Sequence, residues 1–178
     1  MNEISKTSPI LALAGGVGGA KLSQGMAGIL IQQELIVVVN TGDDEGFHGL
    51  HVSPDLDTVM YSLAGLANPK TDWGLADDTF NALTMLGRYG ASTWFNLGDR
   101  DLATHIERTM LLRQGWSLSE VTTHLSKLLG IKATVLPMSD HIVRTIVETE
   151  NGNLPFQEYF VKLQCKPQIT SVHFEGVE

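Results

Sequence analysis

Two rhythms of apolar and polar positions divide this chain. Ile10-Leu-Ala-Leu-Ala14 is a short continuous apolar run, which predicts a buried strand. Glycine-rich residues follow, and then a helix-compatible stretch from Ala20 to Ile31. Leu35–Val39 is the next apolar, β-branched run and ends in Asn40-Thr41-Gly42. Strand, loop, helix and strand in this order form the unit of a parallel sheet with a right-handed crossover. Ser53 can cap a helix that starts at Pro54 and carries Leu56, Val59, Met60, Leu63 and Ala67 on one face before Asn68-Pro69 ends it. Further helices are predicted over Thr79–Arg88, over Asp101–Arg113 closed by Gly115, and after the Ser117/Glu120 capping box, with Val121, Leu125, Leu128 and Leu129 buried before Gly130. Trp94-Phe95-Asn96-Leu97-Gly98 reads as a short strand or an ordered loop.

From Lys132 onwards the rhythm changes to short β-type runs, 132–136, 142–149, 154–163 and 169–175, with a hairpin turn at Asn151-Gly152. The expected fold is therefore α/β, a Rossmann-like, mainly parallel sheet flanked by helices, with a β-rich hairpin segment towards the C-terminus. At 178 residues the chain is long enough for one sizeable core, and residues 1–178 are read as a single α/β domain.

Charge narrows the partners. The formal net charge is −8, from 12 Lys+Arg against 20 Asp+Glu, so the basic footprint of a nucleic-acid binder is missing. Cys165 is the single cysteine, which rules out an intrachain disulfide and fits a reducing, cytoplasmic compartment. The apolar run at 10–14 is too short for a signal-peptide core or a membrane span, so no membrane partner is expected.

The strongest local signal is Gly15-Gly16-Val17-Gly18-Gly19-Ala20-Lys21. Glycines between a strand and a helix let backbone N–H groups approach a phosphate, and the helix dipole favours the anion. The alternative is a tight turn with close strand–helix packing. A Walker A motif fails because Lys21 is followed by Leu22, and a dinucleotide fingerprint fails because Lys21 stands where its third glycine belongs. Asn40 also replaces the ribose-binding acid expected at the end of the second strand.

Acids gather downstream. Asp43 and Asp44 lie in a polar loop that also holds Glu45, His48 and His51, while Asp55 and Asp57 open the helix after Ser53-Pro54. Singly, they are explained by turn and macrodipole roles. Together, near a phosphate loop, they suit a hard divalent cation. In Gly98-Asp99-Arg100-Asp101, Arg100 can fork two phosphate oxygens or serve a local ion pair at a helix cap. Trp94 and Phe95 beside it can stack on a flat ring. His105 and His124 lack metal-ligand spacing and are expected to be solvated or to sit behind the site.

These segments, with Leu136-Pro-Met-Ser-Asp140 and Phe156-Gln-Glu-Tyr-Phe-Val161, occur in an order that resembles the 2-phospho-L-lactate transferases from residue 10 to about 176. The resemblance implies transfer of a phospholactyl-type or enolpyruvyl-phosphate-type group from a guanosine diphosphate-linked donor to the deazaflavin FO. GMP is released, with Mg²⁺ as cofactor, in the biosynthesis of coenzyme F-420. On that footing Asp43, Asp57 and Arg100 are expected to be catalytic, and Asp43, Asp44 and Asp57 to hold the metal. Substrate contacts are expected from Gly15, Gly16, Gly18, Gly19, Lys21, Asn40, Thr41, Ser53, Asp55, Trp94, Asp99 and Asp101. Whether the donor carries a lactyl, enolpyruvyl or glyceryl group is left open, as is a homodimer.

Members of that family run on well beyond the position of Glu178, through a further α/β half with a Pro-Ser-Asn-Pro loop, so the chain reads as truncated. Ile169, Val172 and Phe174 are expected to be left exposed where that half would meet them. The alternatives are a non-catalytic nucleotide or nucleotide-sugar binding regulator of a related family, or an inactive fragment.

Overall fold

The computed structural model describes residues 8–30 and 34–177. Strand β1 (Ile10–Ala14) leads into helix α1 (Gly16–Ile29) and returns as β2 (Leu35–Val39). Ile31, the end of the predicted helix, lies outside the described residues. β1 and β2 are parallel in the register Ile10↔Leu35 to Ala14↔Val39, and β5 (Thr134–Pro137) adds to the far side of β2, also parallel. The sheet order is β1-β2-β5, so β1 is an edge strand among the described residues.

The apolar runs sort by face. Ala12, Ala14, Leu35, Val37, Val39 and Val135 point one way, into a core shared with α1, α2 (Pro54–Leu63), α4 (Asp101–Arg113) and α5 (Leu118–Leu128). The alternate residues Leu11, Leu13, Ile36, Val38 and Leu136 point the other way. The Ser117/Glu120 capping box forms at the start of α5 as the sequence predicts. No helix among the described residues is long and apolar enough to cross a membrane.

Several segments differ from the sequence reading, among them α2, which ends at Leu63 and leaves Ala67 to bridge Leu75. The loop after β2 contains a small hairpin of β3 (Glu45–Phe47) and β4 (Leu50–Val52), turned by His48 and Gly49 at φ 53° and 76°. Two positive-φ residues in a two-residue loop match the twist of paired strands. The predicted β run 154–163 is split: β7 (Gly152–Pro155) ends early and a π-helical turn follows at Glu158–Lys162. Phe156 and Phe160 stack there with centroids 5.4 Å apart, and Lys162 pairs with Glu158 one turn earlier, contacts that an extended strand could not make. β7 pairs antiparallel with β6 (Arg144–Thr149), whose other side pairs with β8 (Ile169–Glu175). Ile169, Val172 and Phe174 on β8 are exposed. Helix α3 (Asn81–Arg88) starts two residues later than predicted, and Trp94–Gly98 is an ordered loop.

A cleft of aromatic walls and a carboxylate floor

The ends of β1 and β2, the start of α2 and one face of α4 converge on a cleft of about 850 Å³. Its mouth is the glycine turn. Helix α1 begins at Gly16 (φ 53°), so Gly15 and Gly16 form the turn while Gly18 and Gly19 lie inside the helix. A side-chain carbon on Gly19 would meet Ala14 at 2.8 Å, so this glycine permits close strand–helix packing. Asp55 reaches the turn from α2. The Gly16 N–H donates to its carboxylate, and a side chain on Gly15 would lie 3.2 Å from Asp55 Oδ2. A phosphate at this turn meets that carboxylate, and needs a cation between them.

Asn40 sits at the centre of the mouth. Its Nδ2 donates one proton to Asp43 Oδ2 and the other to Asp55 Oδ2, both at 3.0 Å. Its Oδ1 accepts from the Gly42 N–H at 3.0 Å, which fixes the amide's orientation. Burial, then the charge of Asp55, pushes the Asp43 carboxyl up to about 6; burial also raises Asp55. Two hard carboxylates sharing one amide, each penalised for its charge, are an arrangement that a divalent cation would relieve.

The floor is a buried ion network. Arg108 on α4 donates through Nη1 to Asp57 Oδ2 at 3.1 Å and through Nη2 to Oδ1, a bidentate clamp on a fully enclosed guanidinium. His105 lies between two acids, its Nδ1 3.6 Å from Asp57 Oδ2 and its Nε2 3.2 Å from Asp101 Oδ2. The latter contact is an ion-pair distance without hydrogen-bond alignment. The Tyr61 hydroxyl donates to Asp101 Oδ1 at 2.6 Å, and burial drives that phenol's pKa upward.

The walls are aromatic. The stacked Phe156 and Phe160 form one side, and Trp73 and Phe95 also line the cleft. No Lys or Arg is among the residues lining it.

The structure thus brings Gly15, Gly16, Asn40, Asp43, Asp55, Asp57 and Asp101 together. It places the other expected residues elsewhere. Lys21 points into solvent and pairs with Asp72 at 2.8 Å. Asp99 caps α3, accepting from Asn81 N at 3.0 Å and Ala82 N at 2.8 Å; these bonds, after the one from the Thr79 hydroxyl, hold its carboxyl down at about 2. Arg100 donates to the Ala76 carbonyl at 2.8 Å on the surface. Trp94 lies behind the wall, edge-on to Phe47 and Phe95 with Lys162 over its ring. Ser53 occupies the N-cap of α2, but its hydroxyl donates to Asp44 Oδ2 at 2.6 Å, where His51 Nε2 also lies at 3.0 Å. Thr41 is buried beside that pair with its hydroxyl unpartnered among the described residues.

The expected metal trio therefore does not assemble: Asp43 faces the cleft, Asp44 turns to His51 and Ser53, and Asp57 is clamped by Arg108. Among the described residues no three His, Cys, Asp or Glu side chains converge on a ready-made cage. The pair that fits a cation is Asp43 with Asp55. Sequence reasoning missed Tyr61, Arg108, Phe156 and Phe160. The helix signal was present, since Asp101, His105 and Arg108 recur on one face of α4. The aromatic pair was hidden by reading 154–163 as a strand.

A glycine turn at the end of a parallel strand, with acids on the neighbouring loop, defines an α/β ligand-binding protein with its cleft at the strand ends. Residues 10–178 match the family described as 2-phospho-L-lactate transferase CofD, and the chain belongs to this family of transferase enzymes. It is 43% identical over 169 residues to the 2-phospho-L-lactate transferase of Methanococcoides burtonii, covering 95% of this chain and 55% of that protein. It is equally 43% identical to the phosphoenolpyruvate transferase of Streptomyces griseus, with 95% and 55% covered. The chain thus spans about half the length of the curated relatives it matches. A crystal structure of a UPF0052 family member from Bacillus halodurans shares the fold, with a TM-score of 0.62 at 16% identity, covering 97% of this chain and 52% of that one.

Proposed function

We propose that this chain forms the acceptor-binding and metal-binding part of a transferase acting in coenzyme F-420 biosynthesis. The reaction moves a phospholactyl-type or enolpyruvyl-phosphate-type group from a guanosine diphosphate-linked donor to the deazaflavin FO and releases GMP. One observation carries the reading: the cleft combines stacked aromatic walls with a floor of carboxylates and no lining Lys or Arg. Flat rings stack on the walls, and the hydroxyls of a sugar-like chain donate to the floor.

Asp43 and Asp55 are the residues that would hold Mg²⁺, which supplies charge neutralisation for the donor's diphosphate when bound. The chain's own residues do the positioning. Arg108 and His105 hold Asp57 and Asp101 still, so that a hydroxyl donating to them is fixed in direction before reaction. That oxygen attacks the phosphorus of the transferred phosphoryl group itself, and a new O–P bond forms as the bond from that phosphorus to the bridging oxygen, which leaves with GMP, breaks. The proton leaves along the hydrogen bond to the floor carboxylate. The aromatic walls keep water, the competing nucleophile, away from the phosphorus. The single cysteine and the small soluble substrates fit action in the cytoplasm.

A binding module without turnover is the second reading, favoured by the same lack of a lining cation. Both readings require FO to bind. Titration of FO into the chain, followed by its fluorescence, is expected to saturate, and Phe160→Ala to weaken binding about five- to tenfold through the loss of ~1 kcal/mol of stacking. Absence of FO binding to the unsubstituted chain would remove the acceptor assignment.

A further inference from the structure

We propose that a second cavity, separate from the aromatic cleft, binds a small aliphatic amino acid, with its ammonium on Asp44 and Thr41 and its carboxylate on Arg113 and Arg144. The cavity has a volume of about 530 Å³ and lies between the β3–β4 hairpin, the end of α4, the start of α5 and residues 140–144. That is far more than the roughly 30 Å³ a water occupies, and it falls in the range of small-molecule sites. No residue lines both cavities. The loop after β2 divides between them: Asn40 and Asp43 line the cleft, Thr41 and Asp44 the second cavity. The inference therefore stands apart from the transferase reading.

Two groups on the cavity floor lack a partner. Asp44 Oδ2 accepts from the Ser53 hydroxyl and lies beside His51, but Asp44 Oδ1 and the Thr41 hydroxyl are buried and unpartnered among the described residues. The Asp44 side chain is 11% exposed and Thr41 is 3% exposed. Their neighbour Thr109 is satisfied, since its hydroxyl accepts from the His51 N–H at 2.8 Å and donates to the His105 carbonyl at 2.6 Å. A buried carboxylate oxygen without a donor is costly, and burial pushes the Asp44 carboxyl up from its ordinary value. An ammonium supplies the missing charge and donor to Asp44, and a further N–H to the Thr41 oxygen.

The exposed side of the cavity carries the opposite charge. Arg113 and Arg144 line it there, and Arg113 is steadied by donating to the Gly49 carbonyl at 3.0 Å. Asp140 and Glu45 also line it, but they accept from the N–H groups of Ser119 at 2.7 Å and Gly46 at 3.0 Å. The guanidinium forks match a carboxylate. Leu50, Leu112, Leu118 and Ile142 offer an aliphatic side chain apolar contact. An anion alone would meet Asp44, and a cation alone would meet the arginines. A zwitterion answers both, and brings no net charge for a chain at −8 to repel.

The test is saturation-transfer NMR of the 178-residue chain with L-alanine, L-valine and L-leucine. Each is compared with the acid that lacks its ammonium and the amine that lacks its carboxylate. At least one amino acid is expected to bind, and its two half-molecules to bind about tenfold more weakly or worse. Arg144→Gln should weaken that amino acid about tenfold. Thr41→Val should weaken it about fivefold, yet raise the melting temperature of the free chain by removing an unpartnered buried hydroxyl. Should Thr41→Val not fold, Asp44→Asn takes its place and is expected to shift preference from the amino acid towards the acid alone. A lower melting temperature for Thr41→Val with no amino acid bound would assign the floor to a structural water and overturn the proposal. So would binding of none of the three, half-molecules that bind as tightly, or binding indifferent to the substitutions.

Discussion

At the scale of single residues, the cleft is held together by charges placed where they are costly. Arg108 is fully enclosed and its strong partner is Asp57, so removing the guanidinium strands a buried carboxylate. Arg108→Met is expected to cost about 3–5 kcal/mol in urea denaturation, and the double substitution with Asp57→Leu to recover part of it. Asp43 behaves in the opposite sense. Its carboxyl rises from 3.8 unfolded to about 6 folded, so the native state binds the extra proton between those values. Its penalty is absent below pH 3.8, grows as pH rises towards about 6, and is fully present above that. Because the group is partly solvated, Asp43→Asn should stabilise the metal-free chain at neutral pH by only ~1 kcal/mol. Mg²⁺ is expected to raise the melting temperature of the unsubstituted chain, and the same substitution should remove that shift. Melting curves at several pH values, with and without Mg²⁺, check both signs. If Asp43→Asn leaves the Mg²⁺ shift intact, Asp43 is not a ligand.

At the scale of elements, the glycines of the turn divide by task. Gly19 touches Ala14, so Gly19→Ala should push α1 off β1 and cost about 1–3 kcal/mol as an overpacked contact. Gly18 has open space around it within the helix, and Gly18→Ala should stabilise by ~0.5–1 kcal/mol. Equal effects in chemical denaturation would contradict this division. The sequence displayed four glycines alike; only the helix start at Gly16 separates turn from packing. The β1–α1–β2 unit was readable because five-residue apolar runs and a glycine break are strong local signals. β3 and β4 were not, because three residues per strand are too few to show a period, and the His48-Gly49 turn has no proline or Asn-Gly mark. The Gly98-Asp99-Arg100-Asp101 run looked chemical because its partners are far away in sequence. Asp78 accepts from the N–H groups of Arg100 and Asp101 at the start of α4, while Asp99 does the same for α3. Such reciprocal capping across some twenty residues leaves no local signature.

At the scale of the molecule, the cleft combines carboxylates with the stacked Phe156 and Phe160, Trp73 and Phe95 on its lining. Phosphoryl transfer depends on holding the diphosphate in line with the attacking hydroxyl and on neutralising charge as the leaving group departs. On the proposed reading this chain would give the hydroxyl a place and a metal a pair of ligands, while the residues lining the cleft include no guanidinium or ammonium for the donor. A Mg²⁺ held there would offset part of a diphosphate's charge, and the carboxylates of Asp43, Asp55, Asp57 and Asp101 lining the cleft would oppose the rest. The 178-residue chain on its own is therefore expected to bind FO yet fail to turn over. Incubation with FO, the guanylyl donor and Mg²⁺ should release GMP at a rate at least about a hundredfold below that of a full-length relative, the penalty of losing electrostatic stabilisation and alignment together. Turnover by the chain alone at a relative's rate would mean that the acidic cleft and Mg²⁺ suffice for the reaction.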